Sequence, residues 1–269
     1  MALRLPSRRF TFALIALAVL AIVGPTSGAA GATVHKRDVY FANGHERQVD
    51  GRTCTAASTA MMLNFIARRD LGLDQMAILR YAQRNDALPN ATQRGSDPLG
   101  WARAATYFSD RIGHPTTYQW KAYGSKSAAL RAAAVAIARL GKPVGLLVWN
   151  GRHAIVMTGY EASADPATGS FTLNHVYTSD PYSAGPTVGR HRRWAVADIP
   201  FNRYLELDAT PYYDDAWYRK WVVVLPVGPA PAPAPTPTPT PSPTPVVAEP
   251  RSPQSRSQRG GTAAPSPTG

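Results

Sequence analysis

The chain of 269 residues contains a single cysteine, Cys54, and this scarcity limits how the protein can be stabilised. One thiol cannot form a disulfide within the chain, and it cannot supply the paired cysteines of a structural zinc site. Stability must therefore come from a packed core, for which residues 33–227 have the length of one ordinary domain.

The chain also lacks an apolar run long enough to cross a membrane. Its most hydrophobic stretch, residues 10–23, is shorter than the roughly 18 apolar residues of a spanning helix. Arginines precede this stretch, and Ala30-Gly31-Ala32 follows it as an A-x-A cleavage site. Residues 1–32 are therefore predicted to be a signal peptide. The mature protein is expected to be secreted, free or loosely associated with the cell wall, without a stable membrane anchor after cleavage.

Large apolar residues are almost missing from residues 228–269, which are rich in proline, threonine and serine. Such a segment cannot bury enough surface to offset the entropy of ordering it. It is predicted to be a disordered, partly polyproline II tail that acts as a spacer. The predicted organisation is a signal peptide (1–32), one domain (33–227) and this tail (228–269).

No block of five like charges and no nucleic-acid-binding motif occurs, which argues against a nucleic-acid partner. The formal net charge of the whole chain is +12. Three arginines lie in residues 1–32, and three arginines and one glutamate lie in residues 228–269. This leaves 23 basic and 16 acidic residues in the domain, a net charge of +7. That charge suits an anionic cell envelope or an acidic substrate, and it equally suits an arginine-rich solvated surface.

Helical patterns dominate the first half of the domain and strand patterns the second. A helix is predicted from Cys54, with Thr53 as its N-cap, because Ala57, Met61 and Phe65 recur every four residues. Further helices are predicted at 74–85, 97–108 and 125–140. Strands are predicted at 143–149, 153–161, 171–178 and 217–225. Helices followed by antiparallel strands indicate an α+β fold rather than alternating βαβ units.

The predicted helix places Cys54 in its first turn, where backbone amides favour negative charge on the sulfur. An unpaired thiol in a secreted protein is either an inert buried side chain or a working nucleophile, and a nucleophile requires a histidine within reach. Of the six histidines, only His153 combines the start of a predicted strand with a flanking turn that could open onto a cleft. A histidine at that place could equally bind a backbone carbonyl within the sheet.

Two further residues could complete such a site. If residues 153–161 and 171–178 pair as antiparallel strands, His153 faces Asp180, whose carboxylate would orient the imidazole. Gln48 lies six residues before Cys54 and could donate its side-chain amide to an oxyanion, together with the backbone N–H of Cys54. Structural interpretations remain open, because an Asp-Pro dipeptide is a common turn and an isolated glutamine is an ordinary surface residue.

In combination these residues resemble a known family. Gln48, five intervening residues, Cys54, a Met-rich helix and then GRHAIVMTGYE and YTSDPY are similar to papain-like cysteine peptidases of the bacteriocin-processing type. The resemblance spans residues 47–181. It implies a papain-like fold, with N-terminal helices packed on a C-terminal antiparallel sheet. It also implies that Cys54 is the nucleophile, His153 the general acid and base, Asp180 the residue that orients it, and Gln48 part of the oxyanion hole. No metal or organic cofactor is implied.

The chain has no transporter segment, so the resemblance points to the free-standing, secreted branch of the family. The expected reaction is hydrolysis of a peptide or isopeptide-type amide through an acyl-enzyme. The expected partner is a peptide or protein substrate, with a cell-envelope polymer as the other candidate. Two alternatives stay open: an acyl transferase of the transglutaminase or transpeptidase kind, and a non-catalytic envelope-binding domain on a flexible stalk. The family usually has Gly-Pro after the cysteine, whereas this chain has Thr55-Ala56.

Overall fold

The computed structural model describes residues 34–87, 95–182, 189–204 and 216–228. The predicted signal peptide and all but the first residue of the predicted tail lie outside the described residues. In the four described ranges, no helix is long and apolar enough to cross a membrane. These ranges contain four α-helices and a seven-stranded antiparallel sheet, which is an α+β fold.

Three of the four helices begin at a side-chain cap. Asp74, Asp97 and Ser125 each precede a helix, and each side chain accepts a hydrogen bond from a first-turn amide. The last helix ends where Gly141 adopts the left-handed conformation, with φ of 64°. The helices are α1 (Cys54–Ala67), α2 (Gln75–Arg84), α3 (Pro98–Arg111) and α4 (Lys126–Leu140). All four predicted helices are therefore confirmed.

The sheet is antiparallel throughout and is centred on one long strand, β4. The strands are β1 (His35–Asp38), β2 (Thr117–Tyr123), β3 (Val144–Val148), β4 (His153–Ala162), β5 (Leu173–Ser179), β6 (Arg192–Ala195) and β7 (Trp221–Val227). Their order is β2-β7-β3-β4-β5-β6, and β1 also pairs with β4. The first half of β4 pairs with β3 and the second half with β1, while β5 runs along the other edge. His153 is thus the first residue of the central strand.

The predicted order of helices first and strands afterwards is wrong for β1 and β2. β1 precedes α1, and β2 lies between α3 and α4 in the chain but pairs with β7 at the edge of the sheet. A short strand pattern is present in β2, where Tyr118 is buried between the exposed residues Thr117 and Gln119. An edge strand of this kind depends on a partner that is distant in sequence, here about a hundred residues away.

Helices cover both faces of the sheet. Along β3, Leu146 and Val148 face α4, whereas Leu147 faces α1 and α3. On its other side α1 packs against α2 and α3, so that every residue from Cys54 to Phe65 is buried. This position explains why α1 carries small and apolar residues around its whole circumference.

Trp101 of α3 joins α1 to the sheet. It is fully buried, and its Nε1 donates a hydrogen bond to Thr59 Oγ1 of α1 at 3.0 Å. Its ring lies directly on Gly145 of β3, where an added Cβ would be 2.3 Å from the ring atom Cη2. Glycine is required at this position because the indole occupies the space of a side chain.

Replacing Gly145 with alanine should therefore destabilise the protein by overpacking. The Trp101 ring would have to shift and weaken its bond to Thr59, at a cost of about 1–3 kcal/mol. For a domain of this size, each kcal/mol lowers the melting temperature by roughly 2–4 °C. Thermal unfolding followed by circular dichroism measures the change. Gly124→Ala is the matched control, because its Cβ would meet nothing within 4 Å. Equal melting temperatures for the two variants would contradict this account of the packing.

Candidate active site

Cys54 opens α1 and lies against the beginning of β4. One turn along the helix, the Ser58 hydroxyl donates a buried hydrogen bond to the carbonyl oxygen of Ala154 at 3.1 Å. Ala154 follows His153 directly, so this bond holds the first turn of α1 beside the histidine. Cys54 is a free cysteine and is buried except for 9% of its surface.

The predicted N-cap, Thr53, occupies the cap position but makes no capping bond to the helix. Its hydroxyl turns back to Asp50, accepting from the backbone N–H at 3.2 Å and donating to the carbonyl oxygen at 3.1 Å. The Thr53 side chain therefore leaves the first-turn amides of α1 uncapped. Such amides favour negative charge near the helix N-terminus, where the Cys54 sulfur lies.

His153 and Asp180 are joined by a short hydrogen bond. The His153 ring is buried, and its Nε2 lies 2.7 Å from Asp180 Oδ1. Asp180 follows directly on β5, and its Oδ1 also accepts from the Tyr182 backbone N–H at 2.8 Å. The backbone N–H of Asp180 donates to the Gly189 carbonyl oxygen at 2.6 Å. These bonds hold the carboxylate in a fixed orientation toward the imidazole.

The strand register behind this contact differs from the predicted one by two residues. A pairing of His153 with Asp180 would set Val156 opposite Tyr177, whereas Val156 pairs with Ser179. The long connection between the two strands fixes the predicted register only to within about two residues, and the observed register near His153 lies at that limit. A shift of two residues keeps the side chains there on the same face of the sheet, so Asp180 still reaches His153 along a diagonal. Beyond Met157 an irregularity changes the register by one further residue.

The pKa of His153 also responds to the Cys54 side chain, both as a hydrogen-bonding partner and as a charge. Because Nε2 is engaged by Asp180, Nδ1 is the nitrogen left for the sulfur. Burial acts to lower the pKa of His153, but the hydrogen bonds to Asp180 and Cys54 and their negative charges outweigh it and raise the pKa to about 9. The ring therefore carries a proton at neutral pH.

Gln48 lies next to this group, but the contacts of its side chain point elsewhere. Its Nε2 donates to the Asp50 carbonyl oxygen at 2.8 Å, and its Oε1 is buried without a hydrogen-bond partner. Its backbone N–H donates to the Pro181 carbonyl oxygen at 3.1 Å, which ties the Gln48 loop to the end of β5. The structure thus joins Cys54, His153 and Asp180, while the oxyanion role of Gln48 stays a prediction.

His45 is a neighbour of the site that the sequence reasoning passed over. Its Nδ1 lies 2.9 Å from Ser179 Oγ, and that hydroxyl donates to Met61 Sδ at 3.3 Å. Burial, followed by the charge of Arg190, lowers the pKa of His45 to about 4, so the ring is neutral at physiological pH. Ser179 immediately precedes Asp180, so this bond braces the end of β5. In the sequence, the indication that His45 lies near the site is its position three residues before Gln48.

Two aromatic rings lie beside His153. Trp149 stacks on the imidazole, with ring centroids 4.3 Å apart and planes at 27°. Tyr182 lies edge-on to both rings, 5.5 Å from Trp149 and 5.8 Å from His153. The sequence holds only a weak signal for them: an aromatic residue four positions before His153 and another two positions after Asp180. In the described ranges, no three His, Cys, Asp or Glu side chains form a group that could hold a metal ion.

The lowered pKa of His45 predicts that acid weakens the fold. An unfolded His45 takes up a proton near its ordinary pKa of 6.5, whereas the folded ring does so only near pH 4. Its contribution to the free energy of unfolding is therefore complete above pH 6.5 and declines as the pH falls toward 4. Urea unfolding of the wild type and of His45→Gln over this range measures the effect. As the pH is lowered, the free energy of unfolding of the wild type should fall relative to that of the variant. A difference that is independent of pH would count against a buried, neutral His45.

No family model matches the chain, and no curated protein is significantly similar to it. The chemistry of Cys54, His153 and Asp180 therefore has to follow from their own geometry.

Proposed function

We propose that the domain is a secreted cysteine peptidase or amidase that hydrolyses a peptide or isopeptide-type amide. One observation carries the proposal: a single buried imidazole has the Asp180 carboxylate 2.7 Å from its Nε2 and the Cys54 side chain near enough to raise its pKa. A thiol, an imidazole and a carboxylate in this sequence of contacts are the groups that nucleophilic amide hydrolysis requires.

In the proposed reaction, the Cys54 thiolate attacks the carbonyl carbon of the amide. His153 transfers its Nδ1 proton to the nitrogen as the carbon–nitrogen bond breaks, and the amine leaves behind a thioester with Cys54. The neutral imidazole then removes a proton from water, which attacks the thioester and releases the acid and the Cys54 thiolate, so that the thiolate and the imidazolium are restored. Asp180 keeps Nε2 protonated and stabilises the imidazolium in both steps.

The uncapped first turn of α1 supports a place for the oxyanion. The backbone N–H of Cys54 would donate to the developing negative charge. Gln48 would supply the second donor, because an amide nitrogen has two hydrogens and the bond to Asp50 uses one of them. This role needs no change in the backbone of the Gln48 loop, which is already bonded to Pro181.

A papain-like fold is part of the same proposal. Its support is a nucleophile at the start of a buried helix, packed against an antiparallel sheet with a histidine at the start of one strand and a carboxylate at the end of the next. Thr55, which stands where the family usually has glycine, is compatible with it. That side chain is only 3% exposed and therefore does not fill an open cleft.

Cleavage of a peptide library by the purified protein tests the proposal. The wild type should cleave peptides, while Cys54→Ala and His153→Ala should lower kcat/KM by at least about a thousandfold, because nucleophile and base act as a unit. Iodoacetamide should label Cys54 faster at neutral pH in the wild type than in His153→Ala. Absence of cleavage, with labelling that ignores His153, would favour an envelope-binding domain. New amides formed with added amines would indicate acyl transfer.

The raised pKa of His153 predicts an alkaline limit to activity. Hydrolysis needs the protonated ring to release the amine, and the protonated fraction falls as the pH rises through about 9. Asp180→Asn removes a hydrogen bond and a charge that raise this pKa, so its alkaline limb should move to lower pH. The pH dependence of kcat/KM for the two proteins measures the shift. An alkaline limb at the same pH in both would show that Asp180 does not control the ring.

A further inference from the structure

Two of the large hydrophobic side chains exposed in the described ranges lie at the candidate active site. Trp149 is 43% exposed and Tyr182 is 58% exposed, and both contact His153. Val49, next to Gln48, is 65% exposed, whereas Val34 is 58% exposed and precedes His35, which pairs with Ala162 at the other end of β4. Apolar surface that stays in contact with water beside reactive groups is typical of a binding site.

The backbone holds Trp149 in this exposed position against its own preference. Trp149 and Asn150 adopt left-handed conformations with φ of 54° and 58°, and Gly151 follows with φ of 83°. Residues other than glycine rarely adopt this conformation, least of all bulky ones. Neighbours fix the turn: the Trp149 N–H donates to Asn202 Oδ1 at 3.2 Å, and the Tyr204 ring lies where a Cβ on Gly151 would be, 2.5 Å away. Burial of the indole does not explain this cost, since the ring remains exposed.

The two rings form a corner beside the imidazole. One face of Trp149 lies on His153, so its exposed surface is the opposite face and the edges. The Tyr182 ring stands at 84° to the indole, with its centroid 5.5 Å away. A second aromatic or large apolar group fits such a corner with one face against one ring and an edge against the other.

The reaction indicates which part of a substrate would reach this corner. His153 gives its proton to the leaving nitrogen, so that nitrogen must lie against the imidazole. The acyl part of the substrate stays at Cys54 and the first turn of α1. Rings that touch the imidazole are therefore closest to the leaving-amine side.

Building on the proposed function, we infer that Trp149 and Tyr182 form a subsite for an aromatic or large apolar side chain on the leaving-amine side of the cleaved bond. The subsite would make the enzyme selective for the amine that it releases.

Peptides that differ only in the residue after the cleaved bond test this inference. In the wild type, kcat/KM for a phenylalanine at that position should exceed that for an alanine by about 10- to 100-fold, the range of hydrophobic-pocket discrimination. In Trp149→Ala and Tyr182→Ala this ratio should move toward one, whereas Trp149→Phe should keep most of it. Val34→Ala is the matched control, because Val34 is as exposed as Tyr182, and it should keep the full ratio.

A positioning effect of Trp149 on the imidazole can be separated from binding. Loss of a subsite leaves the alkaline limb of the pH profile where it is, whereas a disturbed imidazole moves it. A shifted limb with an unchanged phenylalanine-to-alanine ratio would therefore overturn the inference. Binding of phenylalanine amide and alanine amide to Cys54→Ala, followed by tryptophan fluorescence, adds a measurement without turnover, and phenylalanine amide should bind more tightly.

The two proposals fail in different ways. Cleavage that depends on Cys54 but shows no preference for phenylalanine, or a preference that survives in both alanine variants, would disprove the subsite and leave the hydrolase standing. Absence of any cleavage that depends on Cys54 would disprove the hydrolase, and the subsite with it.

Discussion

The arrangement of the site depends on one buried ring, the imidazole of His153. It receives a carboxylate from the end of β5 and a sulfur from the start of α1, and so it joins two elements that are about a hundred residues apart in sequence. The Ser58 bond to Ala154 sets the distance between the helix and the strand. Without this alignment, the lone thiol would be one more small side chain in an apolar helix.

The surroundings of α1 differ between its first turn and the rest of the helix. Its middle and far turns are enclosed by the sheet, α2 and α3, whereas its first turn meets the polar loop that contains Gln48 and Asp50. Thr53 completes this loop rather than the helix. The negative charge proposed for the sulfur would be compensated by amide dipoles and an imidazolium, while polar side chains farther along the helix, such as Ser58 and Thr59, donate to backbone carbonyl oxygens.

Local signals allowed much of this to be predicted. The helices follow from caps such as Asp97 and Ser125, which act within one turn, and the candidate nucleophile follows from Cys54 standing at a helix start. Asp180 was identified from a register that differs from the observed one by two residues, and it survived because that difference preserves the face. The strand β2 was missed because its partner β7 is distant. The turn at Trp149 could not be predicted, because contacts with Asn202 and Tyr204 impose it.

At Trp149 the left-handed backbone is unfavourable for folding, whereas the exposed ring that it carries serves the proposed subsite. Glycine at that position would relieve the conformational strain and lower the exposed apolar surface, so it would suit a protein that only had to be stable. It would also remove the ring that covers the imidazole. Directed evolution of this domain for heat resistance alone would therefore be expected to select against the side chain on which the proposed subsite depends.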